Sequence, residues 1–243
     1  MSKELELLQS ELNNNCDELR KIESNKINII ADFGNESHIE LKDKDRGCRI
    51  YPFYFSEIPI YEFEWDGCPI FKISSDDLKR QVKIIQSWVL ERTMPSKMQD
   101  QFPEIELGEL AKYYEKGEGI KGEFIQSWNL TEETSINLFS IDSEQYHSEK
   151  DAIRLIKEMR EEGLNESLRI GTRLSWLTLS RARRHIINEN TPNISIYFLG
   201  NNKMKVCSNL YDQNKDQEVD VKYEGYLERL VKELLKEKIK YKA

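Results

Sequence analysis

At 243 residues, with 38% hydrophobic and 33% charged side chains, the chain holds enough apolar material for one large core or two small ones, and too much for a disordered polymer. No apolar run approaches the roughly 20 residues of a membrane helix, and the first residues run straight into a charged amphipathic pattern, so a cytosolic protein without a membrane partner is expected. The net charge of −8 is regional: over residues 104–149 eleven acidic residues face three lysines, a balance equal to the whole, which argues against a general nucleic-acid binder.

Leu5, Leu8, Leu12, Asn15, Leu19 and Ile22 recur at alternating steps of three and four, the stripe of an amphipathic helix over residues 3–24. Docking on a sheet is the expected use of that stripe; pairing with a second chain, hence a homo-oligomer, is the alternative. From Ile27 the pattern shortens to β-rich runs at residues 26–33, 37–41, 49–55, 61–65 and 69–73, read as an antiparallel meander. Gly34-Asn35 and the stretch from Lys44 to Gly47 mark turns, and Asp66-Gly67 is the clearest hairpin, since both residues tolerate positive φ. Ser75-Asp76-Asp77 opens a helix to about Arg92 with Leu78, Val82, Ile85 and Val89 on one face.

Met94-Pro95 and Phe102-Pro103 suggest a boundary between an N-terminal α-β-α unit, residues 1–94, and a C-terminal α+β unit, residues 95–243, one continuous domain being the alternative. Beyond it, helices are expected at residues 106–115, 124–128, 148–162 and 172–187, with a polar loop over residues 129–148. A hairpin follows over residues 193–199 and 203–209 across Gly200-Asn201-Asn202, then a strand at 218–222 and a Lys/Glu-rich helix to about Ile239. The fold class is α+β, with mostly antiparallel sheets packed against helices.

Several motif look-alikes fail on context. Gly117-Glu118-Gly119-Ile120-Lys121-Gly122 spells G-x-G-x-x-G, but the preceding segment reads as a helix that Gly117 stops, where a dinucleotide site needs a strand. His38-Ile39-Glu40 has the H-x-E spacing of zinc deaminases without their P-C-x-x-C, and His38, His147 and His185 form no helical pair. Cys16, Cys48, Cys68 and Cys207 are scattered and read as free thiols. Asp76-Asp77 reads as a helix start rather than a catalytic pair. The tetrapeptide Ile85-Gln86-Ser87-Trp88 recurs as Ile125-Gln126-Ser127-Trp128, a coincidence by its unmatched flanks.

Residues 167–188 contain Arg169, Arg173, Arg181, Arg183, Arg184 and His185 with no acidic residue. Arginine forks suit phosphate or carboxylate, so Arg169, Arg173, Arg181, Arg184 and His185 are the candidate ligand- or partner-binding residues. The plainer readings are cations in the last turns of a helix, or internal pairing with the acidic stretch. The aromatic run Tyr51-Pro52-Phe53-Tyr54-Phe55 with Tyr61, Phe63 and Trp65 fits a sheet covered on both faces.

The order of a meander, Ile84-Ile85-Gln86-Ser87-Trp88, Phe102-Pro103-Glu104-Ile105, Ala111-Lys112-Tyr113-Tyr114-Glu115-Lys116-Gly117 and Trp128 resembles a family of uncharacterised bacterial proteins loosely labelled natural-product biosynthesis proteins. The likeness covers about two-thirds of the chain through apolar, structural positions; it implies a bacterial cytosolic protein and supplies no catalytic residue. The sequence thus points to a non-catalytic protein–protein interaction protein, of the immunity type or a defence-complex subunit, with no cofactor and a basic partner steered by the acidic stretch. An accessory enzyme or binder for a small anionic or nucleotide-containing metabolite is the alternative, and an RNA-binding subunit the next.

Overall fold

The structure is a computed structural model that describes residues 10, 27–30, 38–51, 58–135, 146–184, 191–210 and 216–239, without the side chains of 27–30, 134, 135, 146 and 147. The expected helix over residues 3–24 lies outside these residues apart from Ser10, as do the Gly34-Asn35 turn, Phe53, Tyr54 and Phe55. The fold is α+β, with two five-stranded antiparallel sheets and helices. The chain divides into two compact units, Met1–Gly117 and Glu118–Ala243. The division falls after Gly117 rather than after Met94 because the helix opened by Pro95 buries Met98 in the first core.

In the first unit β1 (Ile27–Ile30), β2 (His38–Asp43), β3 (Arg46–Tyr51), β4 (Ile60–Trp65) and β5 (Cys68–Ser74) pair in chain order. The turn after β2 is tighter than expected: Arg46 and Gly47 already pair with Trp65 and Glu64, leaving Lys44-Asp45 to reverse the chain. Asp66 and Gly67 take φ of 53° and 72°, the primed geometry that their residue types favour. Side chains alternate across these strands. Ile39, Leu41, Cys48, Ile50, Tyr61, Phe63 and Phe71 form a buried core with Ile84, Ile85, Trp88 and Val89 of α1 (Leu78–Ile85) and the wide turn Gln86–Leu90 that continues it. Asp77 starts α1 by accepting the Arg80 backbone N–H at 3.0 Å, so its carboxylate is a cap. Two short helices, α2 (Pro95–Gln101) and α3 (Glu109–Glu115), complete the unit.

Trp88 fixes where the helix sits. Its ring is fully buried, and its Nε1–H donates to the backbone oxygens of Gly47, at 3.2 Å, and Glu64, at 3.1 Å. The Arg46 guanidinium lies 3.5 Å from the Trp65 ring centroid and 3.9 Å from that of Trp88. Burial brings its pKa down to about 10, against the opposing pull of Glu115. On the other face of the sheet Glu40, Arg49, Glu62 and Lys72 occupy one register row across four strands, with alternating sign. Arg49 also reaches Glu64 at 2.7 Å, and Lys72 reaches Glu62 at 2.6 Å.

The second unit begins with α4 (Gly119–Leu130), which passes into a wide turn Thr131–Ser135, and α5 (Tyr146–Glu161), which ends near Gly163 at φ 75°. Leu164–Glu166 forms one 3₁₀ turn before β6 (Arg169–Arg173), β7 (Trp176–Ser180), β8 (Asn193–Gly200), β9 (Lys203–Ser208) and β10 (Gln217–Asp220). Their order is β10-β9-β8-β7-β6, and α6 (Tyr226–Leu234) follows. Ala152, Leu155, Ile156 and Met159 of α5 and Leu227, Leu230, Val231 and Leu234 of α6 share one core with Ile170, Leu177, Leu179, Ile194, Ile196, Phe198, Met204 and Val206.

Three expectations are corrected. The helix expected over residues 172–187 is instead the end of β6, a turn at Leu174-Ser175, and β7. Leu177 and Leu179 alternate with Trp176, Thr178 and Ser180, and pairing with β8 rewards that period of two. The polar stretch after Asn129 continues α4 and its wide turn as far as Ser135. The repeated tetrapeptide has related surroundings: the first copy runs from the end of α1 into its wide turn, the second lies inside α4 shortly before its wide turn, and both tryptophans are fully buried. Gly117, at φ 75°, ends α3, and the glycine-rich segment joins two helices.

Trp88→Phe keeps the ring and deletes the donor, leaving two buried carbonyls without it. It is expected to lower stability to urea by about 1–3 kcal/mol. Trp65→Phe, whose indole meets the half-exposed Asp45 at 2.9 Å, should lose less, and equal losses would show that the Trp88 N–H does not position the helix.

Candidate interaction surface

The structure separates the arginines that the sequence groups together. Arg183 and Glu123 are 5% and 4% exposed and form a forked pair: Nε lies 3.0 and 3.2 Å from Oε1 and Oε2, and Nη2 lies 2.7 Å from Oε1. One partner comes from the basic stretch and the other from the acidic one. Arg169 donates to the Arg183 carbonyl at 2.8 Å. Arg181 donates to the carbonyls of Ser167, at 2.6 Å, and Glu237, at 3.1 Å, and burial lowers its pKa. These three tie strands, turn and helix together. Arg184 is exposed beyond them, and His185 lies outside the described residues. Arg173 is exposed at the end of β6, and among the described residues it has neither ion pair nor hydrogen bond.

Much of the acidic stretch is also engaged internally. Glu104 pairs with Arg80 at 2.8 Å, Glu115 accepts the Ser96 backbone N–H at 2.8 Å, and Glu132 pairs with Arg160 at 2.7 Å. Buried carboxylates in the first unit are held the same way. Burial raises the pKa of Glu64 while Arg49 opposes the shift.

Among the described residues, the side of the second sheet opposite α5 and α6 is outward-facing around the β6–β7 turn and along β8–β10, while Thr178 and Ser180 on that side of β7 are buried. There Arg173, Trp176, Tyr197, Lys205 and Glu218 occupy one register row across all five strands. The Trp176 and Tyr197 rings lie 5.3 Å apart at 41° and are half-buried. Leu199, next outward on β8, is 44% exposed, and Leu174, beside Arg173, is 84% exposed. Leu174 also has φ 55°, at the first of two turn residues, where hairpins of this length favour glycine or asparagine. A branched apolar side chain there carries backbone strain and exposure together, and strain of this kind concentrates at functional sites.

At the far edge of the sheet lies an open cleft of about 620 Å³ lined by Glu218, Val219 and Tyr226 among others. Lys203 pairs with Asp220 at 2.8 Å, and Lys222 pairs with Glu224. The Glu218 side chain is exposed, with no ion pair or hydrogen bond among the described residues, though its charge contributes to raising the Lys203 pKa. Lys205, next to it, meets Asp216 at 2.5 Å. The motif search missed every member of this surface except Arg173. The available signal was the alternation around Trp176 and Tyr197, which a helical reading of residues 172–187 conceals.

Two thiols are held protonated: burial raises the Cys48 pKa, and burial with Asp216 raises that of Cys207 to about 11. Among the described residues no group of three His, Cys, Asp or Glu side chains is placed to hold a metal, and no helix is long and apolar enough to cross a membrane. No protein-family model, curated protein or solved structure matches the chain. The class of this α+β protein therefore rests on its own geometry.

Glu123→Ala takes the carboxylate from a buried guanidinium and is expected to cost about 3–5 kcal/mol, whereas replacing the pair together with Glu123→Leu and Arg183→Met should recover most of that loss in chemical denaturation. Leu174→Gly relieves the turn at small cost in burial and is expected to raise stability by about 0.5–1 kcal/mol, read as a higher denaturation midpoint.

Proposed function

We propose that the chain is a non-catalytic cytosolic binding protein whose partner is another protein, in the manner of an immunity protein or a defence-complex subunit. The outer face of its second sheet is the docking surface. The row from Arg173 through Trp176 and Tyr197 to Lys205 carries this reading: aromatic and arginine side chains, the residue types that anchor protein interfaces, gather half-exposed or exposed among the described residues on the side away from α5 and α6. The strained, exposed Leu174 at its rim supports it independently. The anionic-metabolite reading loses support, because Arg169 and Arg181 donate to internal carbonyls.

The test is capture at low salt from an extract of the native host, using the immobilised full chain and its Trp176→Ser/Tyr197→Ser variant. The full chain is expected to return one protein in stoichiometric amount and the variant none. No stoichiometric protein, or equal return by both, removes the proposal.

A further inference from the structure

The register row on the outer face is self-complementary. In strand order it reads Arg173, Trp176, Tyr197, Lys205, Glu218: a cation at one end, an anion at the other, and Tyr197 on the central strand. At a strand spacing of about 4.8 Å the two ends lie roughly 19 Å apart, too far to neutralise each other. A two-fold axis running along β8, between two copies set face to face, turns β6 of one copy toward β10 of the other. It carries β7 toward β9 and leaves each row opposite itself. Arg173 of one copy then meets Glu218 of the second, Trp176 meets Lys205, and Tyr197 meets Tyr197, with both outer contacts made twice.

We propose that the protein forms a two-fold homodimer through this face, a proposal that rests on the docking-surface reading and names a second copy as an occupant. Charge carries the argument. The Arg173 and Glu218 side chains are exposed, opposite in sign and without ion pair or hydrogen bond among the described residues; Lys205, the register neighbour of Glu218, is paired with Asp216, and Lys203 and Lys222 have acidic partners of their own. The Lys205 ammonium of one copy supplies a cation to the Trp176 ring of the other.

Beside the row lie Gly171, Ser195 and Cys207, small and half-exposed, and Thr178, which is buried within the chain. Exposed Leu199 lies on the same strand as the axis, so it faces its own counterpart. Leu174, 84% exposed, lies at the same end of the sheet as Asp220, the end that the second copy presents opposite it.

Sedimentation velocity on the full chain at micromolar concentration tests the proposal. The unaltered chain is expected to dimerise. Arg173→Glu and Glu218→Arg should each weaken association about tenfold or more, and the double reversal should restore it. Circular dichroism melts of the single variants confirm that each is folded. A monomeric unaltered chain, a dimer indifferent to both single reversals, or a double variant that stays monomeric overturns the dimer. A monomer that still captures a Trp176-dependent protein from the host extract refutes the dimer alone, while loss of that capture refutes the docking surface itself.

Discussion

An indole buried between a helix and a sheet needs an acceptor for its N–H, and in each unit of this chain the acceptor is a backbone carbonyl of the β region. Trp88 donates to Gly47 and Glu64, and Trp128 donates to Leu168 at 2.8 Å. An unmade bond at either place would leave a polar group in a fully buried setting, so the helix can settle only where the carbonyl waits. In the second unit Ser127 adds to this. Its Oγ accepts the Ile170 backbone N–H at 3.2 Å and donates to the Phe124 carbonyl at 2.6 Å. The helix thereby closes part of the exposed edge of β6 and fixes the strand whose far end carries Arg173 and Leu174. The exposed face depends on that buried bond.

The legible parts of the fold are those where one residue type allows one geometry. Asp66-Gly67 and Asn201-Asn202 announce hairpins because Asp, Asn and Gly accept positive φ, and the backbone takes it at all four. Asp77 announces a helix start, and Gly117 and Gly163 the helix ends. The turn at Leu174-Ser175 announces nothing, since leucine is a poor choice for φ 55°. With that turn hidden, Leu174, Leu177 and the following arginines resemble one helical face, and the strand pairing of Trp176 with Tyr197 cannot be inferred locally.

The arginines were legible in kind and not in detail. A basic stretch and an acidic stretch in one chain invite internal pairing, and Arg183 with Glu123 realises it across a sequence separation of 60. Nothing local distinguishes Arg183, which is buried, from Arg173, which is exposed: both carry the same side chain in the same basic segment. The distinction arises from place: Arg173 ends β6 beside an exposed turn, whereas Arg183 lies beyond β7 against Glu123 of α4, which tertiary pairing alone decides. Trp88 and Trp128 show the same limit. Their shared tetrapeptide is visible, but the shared function of the indole appears only once each sheet is placed beneath its helix.

The two sheets handle charge in opposite ways, and the contrast identifies which face is unfinished. In the first, Glu40, Arg49, Glu62 and Lys72 alternate in sign at every strand, so each charge finds its opposite one strand away and the row needs nothing further. In the second, Glu218 has Lys205 one strand away, already paired with Asp216, while Arg173 has Trp176 and Tyr197 for neighbours and no carboxylate in the row before Glu218 at the far edge. No rearrangement within that row can bring Arg173 to Glu218, because both are fixed in register on strands at opposite edges of the sheet. Water can solvate the two ends, but it offers the half-buried rings between them no apolar contact. In the proposed dimer a second copy with the same row in reverse order brings a carboxylate to Arg173 and apolar contact to the rings together, whereas the charges of the first row are matched within the chain.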